Sequence, residues 1–265
     1  MNQEERIIYL IQYLQEHESV ARYRDADIPK EIDQQRLLLR ALMNIREPYP
    51  VSDEFLSVQD KYLQERLKER GTTTIEEIKD VYGDLYLWKG DITTLAVDGI
   101  VNAANNQLLG CFGANHLCID NAIHTYAGVQ LRNTCAEIVQ KQGHLEPTGS
   151  AKITPAYNLP SKYVIHTVGP IVQGILTKES ETLLASCYRS CLEIAEENHL
   201  FSIAFCCIST GVFGYPPEPA AETAIQTVQE YKKETGSNIK VIFNVFSEAD
   251  ERIYRRLLEG FPSIG

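Results

Sequence analysis

The hydrophobic positions change their period near residue 72. Before it they repeat as on helices. Ile7, Leu10, Ile11 and Leu14 follow the i, i+3, i+4, i+7 rule for one apolar helix face. EIDQQRLLLRALMNIR, residues 31–46, predicts a second helix. A third is predicted in PYPVSDEFLSVQDKYLQERLKER, residues 48–70. There Ser52 can cap the helix, and Asp53 and Glu54 fall in the first turn, where the helix dipole favours acids. Phe55, Val58, Tyr62 and Leu63 supply its apolar face. Three helices this short bury little surface alone. Residues 1–72 are therefore expected to pack as an extension on a larger domain, with Gly71 to Thr74 as the joint.

Residues 73–265 read differently. LYLWKG, DGIVNAA, SAKITPAY, YVIHTVG, SIAFCCIS and KVIFNVFS predict strands. Between and after them, residues 115–143, ETLLASCYRSCLEIAEENH, EPAAETAIQTVQEYKKE and EADERIYRRLLEG predict helices. Such alternation implies an α/β domain, a sheet covered by helices on both faces. In such sheets ligands bind in the crevice beyond the strand C-termini.

Bulk composition narrows the classes. The chain has 44% apolar and 23% charged residues, and no stretch approaches the roughly 20 apolar residues of a membrane helix. The start, MNQEERIIYLIQYLQEHE, carries acids and no small-residue cleavage site, so a cytoplasmic protein without a membrane anchor is expected. The formal charge is -11 and no Lys/Arg cluster stands out. Nucleic-acid binding through phosphate neutralisation is not expected. An anionic ligand would have to be held by backbone N–H groups. The seven cysteines, none before Cys111, are an odd count that points to reduced thiols. Cys135, Cys187, Cys191, Cys206 and Cys207 read as core residues.

Four loops could carry chemistry. In KGDIT, Asp91 can accept from an exocyclic amine, although Asp is common in turns. In VNAANN, Asn102 and Asn105 suit ribose hydroxyls or simply stabilise a loop. STGVFGYPPEPAAE runs from a buried strand through Gly211 and Gly214 into a helix near Pro217. Successive N–H groups there make an anion cradle, and without a lysine it is not a P-loop. In GCFGANHLCIDN, Cys111, His116 and Cys118 fall within eight positions. Two thiolates and an imidazole suit Zn2+, and three protein ligands leave a fourth position open, the catalytic arrangement. A thiol-containing loop without metal is the alternative. His144 and His166 read as structural or exposed.

GDIT, VNAAN, CIDNAIH and STGVFGYP, in this order and approximate spacing, resemble the macrodomain family across about residues 73–265. The resemblance implies a three-layer α-β-α fold with a mixed central sheet, ADP-ribose binding and, in many members, ADP-ribose removal from proteins. The helical N-terminus and the Cys-x4-His-x-Cys insertion look like the zinc-containing bacterial branch, whose members are often associated with sirtuin-type transferases and lipoyl-carrier modification. An ADP-ribosylated lipoyl-carrier protein is thus an implied partner.

By the same resemblance, Asp91 and the Ile92 backbone would meet the adenine. Asn102 and Asn105 would hold the distal ribose beside the acid Asp120, the three forming the catalytic set. Ser209, Thr210, Gly211, Val212, Phe213, Gly214 and Tyr215 would wrap the diphosphate and distal ribose. His124 would pack structurally, as in members without zinc. The branch usually carries a bulkier residue and a proline near positions 113 and 114; Gly113 and Ala114 stand here, which bears on the stiffness of the loop. The implied activity is zinc-dependent hydrolysis of mono-ADP-ribose from protein side chains, at ester linkages on acidic residues. A non-catalytic ADP-ribose reader and an O-acetyl-ADP-ribose deacetylase are the alternatives.

Overall fold

The computed structural model describes residues 1–260, so the last five positions of the expected 73–265 segment lie outside the described residues. Three helices come first: α1 (Gln3–Gln15), α2 (Ile32–Ile45) and α3 (Asp53–Arg70). Asn2 and Glu5 cap α1 reciprocally, and Ser52 Oγ accepts from the Phe55 N–H at 3.1 Å at the start of α3. The periodic apolar residues of α1 and α3 are buried. With Leu39, Leu42 and Met43 of α2 they form a cluster that takes in Val129 of the larger part and has Ala114 packed against it. At roughly 1.5–3 kcal/mol per large apolar side chain buried, a cluster of this size is a second core, closed by residues of the larger part.

The larger part contains the strands β1 (Thr73–Thr74), β2 (Asp80–Tyr82), β3 (Leu85–Lys89), β4 (Leu95–Ala96), β5 (Gly99–Ala104), β6 (Ala151–Pro155), β7 (Tyr163–Val168), β8 (Ser202–Phe205) and β9 (Lys240–Val245). β1 and β4 pair with each other. The others form one sheet in the order β2-β3-β9-β8-β5-β7-β6. Its five inner strands run parallel, and the edges β2 and β6 run antiparallel to their neighbours. The helices α4 (Ile119–Ala127) and α5 (Val129–Gln142) cover one face. The other carries α6 (Lys178–Glu197), α7 (Pro217–Thr235) and α8 (Glu248–Gly260). The expected three-layer architecture with a mixed sheet is therefore present, together with the N-terminal helices. Inner strands buried on both faces explain the unbroken apolar runs in the sequence.

A carboxylate fixes the start of two inner strands. Asp98 accepts from the N–H groups of Phe201 and Ser202 at 2.8 and 3.1 Å, and Lys162 lies 2.6 Å away. Asp98 precedes β5 and Ser202 opens β8, so the contact sets their register.

Two expectations need correction. The helix expected over 115–143 is divided. It begins only at Ile119, where Cys118 Sγ accepts from the Asn121 N–H at 3.4 Å, and Gly128, at φ +98, separates α4 from α5. Residues 115–118 belong to a loop. The strand expected in SIAFCCIS ends at Phe205, and the next two cysteines turn out of the sheet toward the crevice.

Candidate functional site

Beyond the C-terminal ends of β5, β8 and β9 lies a cavity of about 440 Å3. Its wall includes Asn105, the trio Cys111, His116 and Cys118, Asp120, and the loop from Ser209 to Phe213. The sequence spread these groups over a hundred positions; the parallel sheet delivers them to one crevice.

The loop from Cys111 to Cys118 leaves β5 and returns to α4. The donor atoms of Cys111, His116 and Cys118 all lie within 4.8 Å of one another. Cys111 Sγ is 3.5 Å from His116 Nδ1. Two sulfurs and one imidazole this close are a donor set that suits zinc. Burial, with the neighbouring Cys111 adding to it, pushes the Cys118 thiol up to about 12. A divalent cation held between the two half-buried sulfurs would favour their deprotonated form. A Cβ on Gly113 would stand 3.0 Å from His116 Cβ and 3.4 Å from Cys111 Sγ, so glycine there lets the loop close tightly around its donors.

His124 does not join this trio. It lies in a separate buried group with Cys135 and His166, whose ligand atoms are also within 4.8 Å of one another. Cys135, read as a core residue, is buried and has two imidazoles beside it. Burial holds the rings neutral: His166 falls to about 3, and His124 is lowered well below its ordinary value.

Asp120 sits in the first turn of α4 and is 6% exposed. Burial pushes its carboxyl up to about 6; the Asn102 amide and the Arg132 charge oppose that shift without cancelling it. Asn102 is fully buried and sits beneath Asp120, outside the cavity lining. Its Nδ2 donates to Asp120 Oδ1 at 2.8 Å and to His166 Nδ1 at 3.1 Å. With Nδ1 accepting, the His166 proton lies on Nε2, 3.0 Å from Thr154 Oγ1. Asn105 does line the cavity, and its side chain braces the loop by donating to the Gly110 carbonyl and accepting from the Gln107 N–H, both at 3.0 Å.

The loop after β8 is built to expose its amides. The Thr210 and Gly214 N–H groups bond within the turn, and Tyr215 N–H returns to the Ser209 carbonyl at 3.0 Å. Gly211, Val212 and Phe213 donate no backbone hydrogen bond to a described residue. Gly214 and Tyr215 are not in the cavity wall, and Tyr215 is buried in the core beneath the loop. Across from it, a Cβ on Gly169 would come within 2.0 Å of Ser209 Oγ. Only glycine leaves that hydroxyl its place.

Asp91 and Ile92 also stand outside the cavity wall. Asp91 caps a short turn through the Thr93 N–H at 3.0 Å and pairs with Arg70 of α3 at 3.1 Å. Sequence reasoning passed over Gly169, Asn244, Phe246 and Asp250, all in the wall. The signal was available for two of them, since Gly169 and Phe246 directly follow the ends of β7 and β9.

The Macro domain family matches residues 101–224. A protein-ADP-ribose hydrolase of Treponema medium is 55% identical over 262 residues, covering 97% of this chain and all of that protein. The chain belongs to the macrodomain family. A second relative of this macrodomain, a protein-ADP-ribose hydrolase of Staphylococcus aureus strain MSSA476, is 53% identical and covers 82% of each chain. Among solved structures, the Trypanosoma brucei macrodomain in complex with ADP-ribose matches with a TM-score of 0.65 and 30% identity, covering 83% of this macrodomain and 94% of that chain.

Proposed function

We propose that this macrodomain is a zinc-dependent hydrolase releasing mono-ADP-ribose from modified protein side chains, at ester linkages on acidic residues. One observation carries the reading. A three-donor metal set, a buried carboxyl and a row of free N–H groups face the same cavity. The relatives named protein-ADP-ribose hydrolase support the reaction class. The solved macrodomain with ADP-ribose supports the ligand. A module that only binds ADP-ribose needs neither soft metal donors nor a carboxyl beside them.

Cys111, His116 and Cys118 would hold the zinc, which when bound supplies Lewis acidity toward an oxygen of the distal ribose or the scissile ester. The protein's own groups do the rest. The N–H groups from Gly211 to Phe213 bind the diphosphate. Asn102 fixes one oxygen of Asp120 and leaves the other to hold the proton taken from the attacking water. Asn105 keeps the loop edge in place beside the sugar, and this positioning supplies part of the rate.

The test is direct. The purified protein, with zinc content measured, is mixed with a peptide ADP-ribosylated on an acidic residue and, separately, with O-acetyl-ADP-ribose. A lipoyl-carrier protein bearing the modification is the first protein substrate to assay. Release of free ADP-ribose that stops on chelation and returns with zinc supports the proposal. Undiminished release after chelation removes zinc from it. Binding without release from any substrate makes the protein a reader, and release from the acetylated nucleotide alone makes it a deacetylase.

A further inference from the structure

The helix α2 lies along the metal loop. Arg40 Nε and Nη2 donate to Asn121 Oδ1 at 3.3 and 3.0 Å, and Nη2 also donates to the His116 carbonyl at 3.2 Å. Asn121 in turn donates to the carbonyls of Cys111 and Gly113 at 3.5 and 3.0 Å. One turn further along α2, Asn44 Oδ1 accepts from the Asn115 N–H at 3.0 Å, while its Nδ2 donates to Thr125 Oγ1 at 2.9 Å. Ala114 packs on the apolar cluster of the N-terminal helices. Arg132 donates to the carbonyls of Met43, Asn44 and Arg46, just where α2 ends, and its guanidinium lies 4.4 Å from the Phe112 ring centre. Each position from Cys111 to His116 is thus tied to α2 or its cluster, either directly or through Asn121 or Arg132.

This loop has no helix or strand of its own between Cys111 and Cys118. Conformational entropy opposes holding three donor atoms around one point in such a segment. Contacts that order it beforehand lower that cost and raise metal affinity. Arg40 is the telling residue. In a chain of charge -11 it forms no salt bridge with a described carboxylate; both its partners belong to the loop or to the residue that clamps it. We infer that α2 is the template on which the metal loop is ordered, with Arg40 and Asn44 as positioning residues for the zinc donors. The inference rests on the zinc reading above.

Asn44 is buried and its replacement threatens the fold, so the half-buried Arg40 carries the test. Arg40→Ala and Arg40→Lys are made in the full chain. Zinc affinity is measured by competition with a chromophoric chelator, the cobalt-substituted protein is examined by visible absorption, and the thermal midpoint is taken without metal. Arg40→Ala is expected to weaken zinc binding by about 10-fold or more, the range found for groups that orient metal ligands. Its cobalt bands should shift, its metal-free midpoint should stay near that of the parent, and Arg40→Lys should recover part of the loss. The lysine variant, which keeps a charge and a donor, decides the matter should the alanine variant fail to fold. Parental affinity and parental cobalt bands in the variants would overturn the positioning role and leave the zinc reading standing. A parent protein with no thiolate–cobalt absorption would overturn the zinc reading itself, and the positioning role with it.

Discussion

Asn102 directs both amide protons inward, one to Asp120 and one to the His166 ring. Asp120 is thereby fixed at one oxygen, and its carboxyl faces a cavity it shares with Cys111, His116 and Cys118. Replacing Asp120 with Ala should reduce turnover on the order of 10²- to 10⁴-fold, as for the loss of a general base, with little change in ADP-ribose affinity. Steady-state kinetics beside calorimetric binding would settle it; a parallel fall in both would make Asp120 a binding residue. Gly169→Ala should do the opposite. The new methyl group has no space beside Ser209 Oγ, so the amide loop must move. ADP-ribose affinity should weaken about tenfold, equivalent to roughly 1.4 kcal/mol of overpacking, and calorimetry measures it. The clustering of Cys111, His116 and Cys118 was legible in the sequence because they are near neighbours in a glycine-flanked stretch. The family resemblance already brought Asn102 and Asp120 together, but the reach of Asn102 to His166 was not legible. His166 is 64 positions from Asn102, and nothing local to either announces the other.

At the scale of elements, the Asp98 contact joins the starts of β5 and β8. Burial alone would raise this carboxyl. Lys162, the Phe201 N–H and the Ser202 hydroxyl outweigh burial and hold it below the ordinary carboxylate range. The folded group therefore titrates below the unfolded one, at about 3.9. Its contribution to stability is whole above that value and is lost as pH falls through the lower folded value. Asp98→Asn should lower the thermal midpoint at neutral pH, and the gap to the parent should close as the solution is acidified into that range. A gap independent of pH would show that packing, rather than charge, dominates there. Elements were readable where they were long. The inner strands announced themselves as apolar runs, whereas the three-residue β2 has too few positions to show an alternation. The long helix was overextended because loop residues 115–118 carry no strong helix breaker, and their departure from helix is set by Asn115, at φ +55, and by Cys118 acting as the cap.

Two hydrophobic clusters form the cores of the described residues, and they meet around the loop from Cys111 to Cys118 and the start of α5. Val129, inside the smaller cluster, begins the helix that carries Arg132. The expectation that the N-terminal helices rest on the larger part is consistent with these contacts. Deleting residues 1–70 should expose Val129, leave Arg132 without the carbonyls of Met43, Asn44 and Arg46, and free the loop from Arg40 and Asn44. The shortened chain should melt several degrees lower, a shift that corresponds to only a few kcal/mol, and should lose metal uptake together with hydrolysis. A thermal scan with metal analysis reports both. Retention of uptake and turnover at a reduced midpoint would limit these helices to bracing the fold.

The cavity wall contains no lysine or arginine, and two of its members are aspartates. The diphosphate of an entering anion is met by oriented peptide dipoles in place of lysine or arginine, and their pull vanishes beyond contact range, inside a molecule whose far field repels it. Capture should then proceed without electrostatic steering. Added salt, by screening the acidic surface, should quicken encounter and should not weaken binding.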